Sequence, residues 1–424
     1  MNKLTGAALI GQSGGPTAAI NATLAGAVQA ALEEELGGGC ITKLYGMRNG
    51  IEGFLNGRTV DLSERFIKDG RIDEDALALL AQTPAAALGS CRKKLPDPKS
   101  DPDFFKNLTE LFRENNIRYF FYIGGNDSMD TVSKLGEYVS GCGYEMRVVG
   151  IPKTIDNDLC ATDHTPGFGS AAKYVAATLQ EICLDCAVYT VPAVTVVEIM
   201  GRDAGWLTAS AGIPKLYGSA APDLIYLPEV DFSMPKFIED VKRVYAEKGY
   251  CIVAVSEGIH YEDGGFVSEA KVAATDGFGH AQLGGLAAML AQVVKEETGA
   301  KVRGIELNLL QRCGAHLASE TDIEESYMAG KAAVENAING INGRMIGFER
   351  GVRDGKYACK TKLIPLMEVA NTEKKLPRSW INEEGNGVNH QFVEYALPLI
   401  QGEPDLPKVD SLPRFAHLKK ILAK

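Results

Sequence analysis

A lysine and two aspartates lie within six consecutive positions of the stretch PKTIDND, residues 152–158. They are Lys153, Asp156 and Asp158, and they follow the apolar run Val148–Ile151. Phosphoryl transfer needs a positioned base, a metal site and positive charge at the transferring oxygens, and these residue types can supply all three. A turn-forming loop can also be rich in aspartate and asparagine. Because functional residues gather in loops at the ends of strands, we predict phosphoryl-transfer chemistry here.

Two glycine-rich turns follow other apolar runs. Residues 11–16, GQSGGP, follow Ala7–Ile10, and residues 124–128, GGNDS, follow Tyr119–Ile123. A turn that opens a helix presents backbone N–H groups and the positive end of the helix dipole to a phosphate. The first turn has neither the Gly-Lys-Ser/Thr end of a Walker A loop nor the spacing of a dinucleotide-binding turn. By itself it is as consistent with an ordinary strand-to-helix turn as with a phosphate site.

Two further apolar runs end at charged residues. Arg202 follows the run Val194–Met200, and Glu257 follows the run Cys251–Ser256. An arginine and a glutamate at neighbouring strand ends could bind a phosphate and a hydroxyl group respectively. Each could equally form a structural salt bridge, so these residues indicate a site only in combination with the others.

The elements that must position these residues form a repeating pattern. Short β-branched runs are followed by glycine and then by segments with helical periodicity, which is typical of βαβ units in a parallel sheet. The predicted strands are Ala7–Ile10, Tyr119–Ile123, Val148–Ile151, Val194–Met200, Cys251–Ser256 and Val302–Leu307. The predicted helices are Ala18–Leu36, Ser128–Val139, Ala171–Cys186 and Ile323–Asn339, the last with a capping box at Thr321 and Glu324. Ligands bind beyond the carboxyl ends of such strands, where the polar residues above fall.

Length and charge narrow the class of protein. A chain of 424 residues exceeds what one hydrophobic core usually supports, which predicts two domains with a cleft between them. The net charge of −11 repels nucleic acid and anionic membrane surfaces, and no window approaches the roughly 20 apolar residues of a membrane span. Nine scattered cysteines and the lack of a signal-peptide pattern favour the reducing cytoplasm. We therefore expect a cytoplasmic protein without a nucleic-acid or membrane partner.

Taken in order, the motifs resemble phosphofructokinase family A over about Leu9 to Gly340. The resemblance is carried by the turns at Gly14 and Gly124, GSCR at residues 89–92, TIDND at 154–158, MGR at 200–202, and Arg303 through Gln311 and Arg312. It implies an α/β fold of two facing doubly wound, Rossmann-like domains with the active site in the cleft. We expect a phosphoryl-donor domain at residues 1–165, a sugar-phosphate domain at 166–310, and a segment at 311–424 that returns to the first domain and adds a C-terminal extension.

The resemblance also implies roles for individual residues. Asp156 would be the base that takes the proton of the sugar C1 hydroxyl, Arg92 would bridge the donor and acceptor phosphates, and Arg312 would bind the 6-phosphate. Arg303 would reach into a neighbouring subunit, which implies a homodimer or homotetramer. The implied donor-binding residues are Gly14, Gly124, Gly125, Asn126, Asp127 and Lys153. The implied substrate-binding residues are Thr154, Ile155, Asp156, Met200, Gly201, Arg202, Glu257, Arg303 and Arg312.

Two charged positions bear on the phosphoryl donor. ATP-using relatives have glycine where Asp127 and Lys153 stand here. Asp127 would lie where the α-phosphate of ATP must pass, and like charges ~4 Å apart cost about 4 kcal/mol at an effective dielectric constant of 20. Lys153 could stabilise the charge of a leaving phosphate. The pair resembles the pyrophosphate-dependent branch, which implies reversible transfer from pyrophosphate to fructose 6-phosphate, giving fructose 1,6-bisphosphate and phosphate.

Three positions depart from the family pattern. Asn126 stands where the family usually has a magnesium-binding aspartate, and a neutral ligand weakens such a site. We expect Mg²⁺ to be held largely by pyrophosphate, with Asn126, Asp127 and Asp158 as candidate ligands. Ala193 and Leu309 replace residues that usually help to bind the 6-phosphate. Sedoheptulose 7-phosphate therefore stays open as a second acceptor.

Competing interpretations are an ATP-dependent 6-phosphofructokinase and a catalytically weak, phosphosugar-binding regulatory subunit. The intact Lys153, Asp156 and Arg92 count against the regulatory subunit. The turn at residues 124–127 also resembles the Gly-Gly-Asp-Gly turn of NAD kinases and lipid kinases. Those families lack the TIDND and MGR segments.

Overall fold

The structure is a computed structural model that describes residues 3–268, 283–370 and 372–418. The strands in chain order are β1 Gly6–Gln12, β2 Ile41–Met47, β3 Thr59–Asp61, β4 Ile67–Lys68, β5 Arg71–Ile72, β6 Ile117–Gly124, β7 Arg147–Pro152, β8 Ala193–Ile199, β9 Leu224–Tyr226, β10 Tyr250–Ser256, β11 Lys301–Glu306, β12 Arg344–Arg353, β13 Lys356–Pro365, β14 Lys408–Val409 and β15 Leu412–Pro413.

The helices are α1 Ile20–Leu36, α2 Gly50–Leu55, α3 Leu62–Phe66, α4 Glu74–Ala81, α5 Pro102–Glu114, α6 Asn126–Gly141, α7 Phe168–Ala187, α8 Trp206–Ala209, α9 Met234–Lys248, α10 Leu286–Thr298, α11 Leu310–Cys313, α12 Glu320–Ile338 and α13 His390–Ala396. Short 3-10 helices lie at Ser210–Tyr217, Ala315–Leu317, Leu366–Glu368, Arg378–Trp380 and Leu397–Ile400. Within the described ranges, no helix is both long and apolar enough to cross a membrane.

Two larger sheets organise the chain. The described strands of the first run in the order β13-β12-β7-β6-β1-β2-β3, and its centre is parallel while each edge strand is antiparallel to its neighbour. The second runs β11-β8-β10-β9 and is parallel throughout. In the first sheet Gln12 lies beside Ile123, and Gly124 lies beside Pro152. The loops that follow β1, β6 and β7 therefore emerge side by side.

Both sheets are covered by helices on both faces. In β1, Ala8 and Ile10 join the core beneath α1 and α12, whereas Leu9 joins the core beneath α5 and α6, as the two-residue period of a strand requires. In β8, Val197 faces the core with α7 and α13, and Val196 faces the core with α9 and α10. This arrangement confirms the predicted α/β fold with doubly wound sheets.

Helix α12 packs closely along α1. A Cβ atom at Gly26 would collide with the carbonyl oxygen of Tyr327, and one at Gly330 would collide with that of Thr23, so glycine is required at both crossings. Residues 376–399, in contrast, pack in the core of the second sheet. The last third of the chain thus contacts both sheets. The domain boundaries at residues 165 and 310 stay a prediction.

The predicted strands and helices are present, with ends that differ by a few residues. The capping box at Thr321 and Glu324 is wrong, because α12 begins at Glu320 and the side chain of Ser319 accepts a hydrogen bond from the backbone N–H of Asp322. Strand β2 and the β12–β13 hairpin were not predicted, because their half-exposed faces leave no continuous apolar run.

Candidate active site

A cavity of about 470 Å³ opens where the carboxyl ends of the two sheets face each other. Most of its lining comes from the loops after β1, β6 and β7 on one side and after β8 and β10 on the other. Other segments contribute Arg92, Lys94, Arg312 and Glu373. The predicted residues that line it are Gly14, Arg92, Gly125, Asn126, Asp127, Lys153, Thr154, Ile155, Asp156, Asp158, Met200, Arg202, Glu257 and Arg312. The geometry thus brings together residues that lie up to 298 positions apart, from Gly14 to Arg312.

The turn after β1 forms one wall of the cavity, and three cationic side chains lie close to it. The N–H of Gly14, which has a φ of 75°, donates to the carbonyl oxygen of Cys91 at 3.0 Å. Lys153 Nζ donates to the carbonyl oxygen of Gly15 at 2.6 Å. A Cβ atom at Gly15 would lie 3.3 Å from Arg312 Nη1 and 3.7 Å from Arg92 Nη2. Glycine here lets the cations approach the backbone closely, as an anion site requires.

Burial and mutual proximity perturb these cations. Burial lowers the pKa of Lys153 to about 8, with Asp156 opposing the shift and Arg92 adding to it. The pKa of Arg312 is also lowered, first by burial and then by Arg92. Three cations held this close repel one another, and a bound polyanion would relieve the repulsion.

The turn after β6 directs the start of α6 at the cavity. A Cβ atom at Gly124 would collide with the side chain of Ser128, so the turn needs glycine there. Gly125 is the N-cap residue, and Asn126 and Asp127 form the first turn of α6, where the helix dipole favours negative charge. Asp127 Oδ1 lies 3.9 Å from Lys94 Nζ, a cation that is itself half exposed.

Two oxygen atoms between α6 and the TIDND loop are buried and have no hydrogen-bond partner among the described residues. Asn126 Nδ2 donates to Asp158 Oδ2 at 3.3 Å. The other oxygens, Asn126 Oδ1 and Asp158 Oδ1, accept no hydrogen bond from any residue that the structure describes. Burial raises the pKa of Asp158. Carboxylate and amide oxygens are ligands that magnesium prefers, so the pair fits a divalent cation.

The cavity contains Asp156, a carboxylate with a strongly raised pKa. Burial raises its pKa to about 8, and the neighbouring carboxylates of Asp158 and Glu257 add to the shift. Its backbone N–H donates to Thr154 Oγ1 at 3.1 Å, which orders the loop. A carboxylate with a pKa near neutrality is suited to accept a proton during the reaction.

The wall after β8 and β10 is built from backbone and carboxylate groups. The N–H of Gly201 donates to Glu257 Oε1 at 3.3 Å, and the N–H of Met200 donates to Gln311 Oε1 at 3.2 Å. Gly201 has a φ of 136°, and a Cβ atom there would lie 2.7 Å from the carbonyl oxygen of Ala204. Burial raises the pKa of Glu257. This wall offers hydroxyl-binding groups opposite the phosphate-binding turns.

Gly124, Gly201 and Arg303 do not line the cavity of the single chain. Gly124 and Gly201 shape its walls, as described above. Arg303 lies on the edge strand β11, and its guanidinium lies 5.7 Å from the ring centre of Tyr189. That Arg303 reaches into the active site of a neighbouring chain therefore stays a prediction.

Several lining residues were not predicted from the sequence. Pro16 and Ser128 belong to the glycine-rich turns, and Thr17, Lys94 and Asp203 lie within two residues of predicted motifs, so closeness to these motifs was a usable signal. Glu373 also lines the cavity and had no signal, since it lies in a segment without a motif.

Comparisons with known proteins identify the family of this chain. The family model described as Phosphofructokinase matches residues 7–336. The chain is 43% identical over 416 residues to the pyrophosphate–fructose 6-phosphate 1-phosphotransferase of Xanthomonas campestris pv. campestris, covering 97% of this chain and 96% of the relative. It is 41% identical over 417 residues to the protein of the same name from Halomonas elongata, covering 97% and 96%.

A solved structure supports the same assignment. The pyrophosphate-dependent phosphofructokinase from Nitrosospira multiformis has a TM-score of 0.86 and 38% sequence identity to this chain, covering 98% of this chain and 97% of that one. The matched family region contains the turns after β1 and β6, the TIDND loop and both arginines of α11 and β11. The chain belongs to the phosphofructokinase family, within the branch whose relatives are named for pyrophosphate.

Proposed function

We propose that this chain transfers a phosphoryl group from pyrophosphate to the C1 hydroxyl of fructose 6-phosphate, giving fructose 1,6-bisphosphate and phosphate, in a reversible reaction. The observation that carries the proposal is that Asp127 and Lys153 line the same cavity as Asp156. ATP-using relatives have glycine at the positions of Asp127 and Lys153. The names of the relatives at about 40% identity support the same reaction.

The donor half of the cavity suits pyrophosphate. Lys153 and Arg92 lie at the turn formed by Gly14 and Gly15, where they can neutralise the donor phosphates and the leaving phosphate. Asp127 adds a negative charge at the start of α6. The α-phosphate of a nucleotide would meet that charge, whereas pyrophosphate ends before it.

The acceptor half suits a phosphorylated sugar. Asp156 takes the proton of the C1 hydroxyl, and its raised pKa makes it a stronger base than an ordinary aspartate. The residues that hold the sugar line the same cavity and are Thr154, Ile155, Met200, Arg202 and Glu257, while Gly201 shapes the wall that carries Met200 and Arg202. Arg312 binds the 6-phosphate.

The cofactor we propose is Mg²⁺, held by Asn126 Oδ1 and Asp158 Oδ1 together with pyrophosphate oxygens. The two buried oxygens without a partner among the described residues are the observation that fits it. Asp127 stands next to them on α6 and is the third candidate ligand. When bound, the cation neutralises charge that develops on the phosphoryl oxygens.

We further propose a homodimer or homotetramer in the cytoplasm. The edge strand β11 exposes much of its surface and carries Arg303 away from the cavity of its own chain, so a second chain would be needed to use this arginine. All nine cysteines are free thiols, which favours a reducing compartment.

The test is steady-state transfer to fructose 6-phosphate with magnesium, comparing pyrophosphate and ATP for wild type, Asp127→Gly and Asp127→Asn. We expect a strong preference for pyrophosphate that shrinks in both variants, because each removes the charge. Equal or better use of ATP by the wild type would contradict the donor assignment. Binding of the sugar phosphate without turnover on either donor would favour a regulatory subunit instead.

A further inference from the structure

Asn157 lies between the two aspartates of the TIDND loop in a left-handed conformation. Its φ is 55° and its side chain is fully buried. Asparagine tolerates this region better than most residues, yet the turn still needs support from its surroundings. Since Asp156 and Asp158 flank it, the conformation of Asn157 sets the directions in which the two carboxylates point.

Both ends of the Asn157 amide are held by residues from the C-terminal part of the chain. Asn157 Nδ2 donates to the hydroxyl oxygen of Tyr395 at 2.8 Å. Lys374 Nζ donates to Asn157 Oδ1 at 3.4 Å. Both partners lie beyond residue 336, where the match to the family model ends.

Lys374 contacts other backbone groups of the loop besides the side-chain amide of Asn157. Its Nζ also donates to the carbonyl oxygens of Thr162 and Asp163, at 3.2 and 2.8 Å. Its backbone N–H donates to the carbonyl oxygen of Asp158 at 2.7 Å. Burial lowers its pKa to about 8, so holding the ammonium group here has an energetic cost that the loop contacts must offset.

Tyr395 is held rigidly around its hydroxyl group. The hydroxyl donates to the carbonyl oxygen of Asp163 at 2.7 Å while accepting from Asn157. The ring packs against both Trp206 and Trp380, with centroid distances of 5.2 and 5.3 Å, and the two tryptophan rings also contact each other at 5.9 Å. A phenylalanine at this position keeps these ring contacts and removes only the hydroxyl.

We propose that Lys374 and Tyr395 are positioning residues, which hold the left-handed turn at Asn157 and thereby aim Asp156 at the acceptor and Asp158 at the metal. Neither touches the reacting atoms. The inference rests on the proposed function for its catalytic consequence. A misplacement of about 1 Å at a reacting group can cost roughly 100-fold in rate, which sets the size of the expected effect.

The experiment compares wild type, Tyr395→Phe and Lys374→Met, with Lys375→Met as the matched control on the exposed neighbour. We expect kcat with pyrophosphate to fall about tenfold for Tyr395→Phe and roughly 100-fold for Lys374→Met, with KM values for both substrates within about threefold of wild type. The control variant should keep the wild-type kcat. A merely structural role would instead lower kcat in proportion to the folded fraction, as measured by thermal melting.

Hydrogen–deuterium exchange of the peptide that spans residues 154–160 gives a readout that does not depend on activity. We expect faster exchange there in Tyr395→Phe and Lys374→Met, and no change in Lys375→Met. If wild type shows no transfer from pyrophosphate, the proposed function fails and exchange still decides whether these residues hold the loop. Wild-type kcat and exchange in a folded Tyr395→Phe protein would overturn the inference, even if Lys374→Met failed to fold.

Discussion

Lys153 Nζ donates a hydrogen bond of 2.6 Å to the carbonyl oxygen of Gly15, so a cation that follows β7 is anchored on the turn that follows β1. The backbone N–H of Lys153 also donates to the carbonyl oxygen of Gly124, at 3.0 Å, at the end of β6. Three neighbouring strand ends therefore meet at one lysine. Its charge is placed by the sheet itself rather than by a flexible loop, which is the preorganisation that electrostatic catalysis requires.

Replacing this lysine tests its role directly. We expect Lys153→Met to lower kcat for pyrophosphate-dependent transfer by about 100- to 1,000-fold, the usual loss when one preorganised charge-stabilising group is removed. Lys106→Met, on the exposed face of α5, is the control and should keep wild-type kinetics. A loss confined to KM for pyrophosphate would show that Lys153 binds the donor without stabilising the transition state.

The pH dependence follows from two perturbed groups. Asp156 acts as a base only when deprotonated, so kcat/KM should rise as pH approaches its pKa of about 8. Lys153 acts only when protonated, so kcat/KM should fall as pH passes its pKa of about 8. We therefore expect a narrow, bell-shaped profile of kcat/KM against pH, with its maximum near pH 8. In Lys153→Arg the alkaline limb should weaken, because the guanidinium stays charged. Lys374, whose pKa is also about 8, accounts for the limb that remains, so an unchanged alkaline limb in this variant would show that Lys153 does not cause it.

The dependence of turnover on Mg²⁺ tests whether Asn126 and Asp158 bind the metal. We expect chelation to abolish turnover and added Mg²⁺ to restore it. Asn126→Asp adds a charged oxygen ligand and should lower the Mg²⁺ concentration for half-maximal activity by about tenfold, or 1.4 kcal/mol. Asp158→Asn should raise that concentration. If neither variant changes the Mg²⁺ requirement, the metal is held elsewhere.

Arg303 offers a test of the oligomer. In a mixed assembly of Asp156→Ala and Arg303→Ala chains, one class of site combines an intact Asp156 with an intact Arg303 from its neighbour. We therefore expect two nearly inactive variants to regain activity after they are unfolded and refolded together. Refolding each variant alone is the control. No recovery in verified mixed oligomers would show that each chain uses its own Arg303 or none.

A buried histidine should make stability depend on pH. His164 Nδ1 lies 2.8 Å from Asp163 Oδ2, and His164 Nε2 lies 2.6 Å from Glu325 Oε2. Burial alone would lower the pKa of His164, but the hydrogen bonds to the two carboxylates outweigh it and raise the pKa. Its contribution to stability is therefore fully present below the unfolded pKa of about 6.5 and is lost as pH rises through the folded pKa.

Urea unfolding across pH measures this contribution. We expect His164→Gln to lower the free energy of unfolding by about 3 kcal/mol below about pH 6.5, because the buried carboxylate of Glu325 loses its cation, whereas Asp163 keeps Arg350. The difference from wild type should narrow as pH rises. The exposed His417→Gln is the control. A difference that stays constant with pH would mean that His164 is neutral in the folded protein.

Local sequence determined the central strands and the residues at their ends. Apolar runs specify β1, β6, β7, β8 and β10, and a glycine or a polar residue at each carboxyl end marks where a parallel sheet places its ligands. Residue type and position along the chain were therefore enough to single out Lys153, Asp156 and Asp158. The identity of their neighbours across the cavity came from the ordered motifs and not from periodicity.

Only the tertiary structure decided what surrounds those residues. Asn157 and Tyr395 are 238 residues apart in the chain, and Lys374 lies 217 residues from Asn157, so no local pattern connects them. The start of α12 was mispredicted because it also depends on a contact between residues far apart in the chain. The hydroxyl of Ser319 also donates to the carbonyl oxygen of Leu399 at 2.8 Å, a contact made only in the folded chain. Propensity and motif act over a few residues, whereas the aim of the catalytic carboxylates depends on packing between segments that meet only when both sheets are assembled.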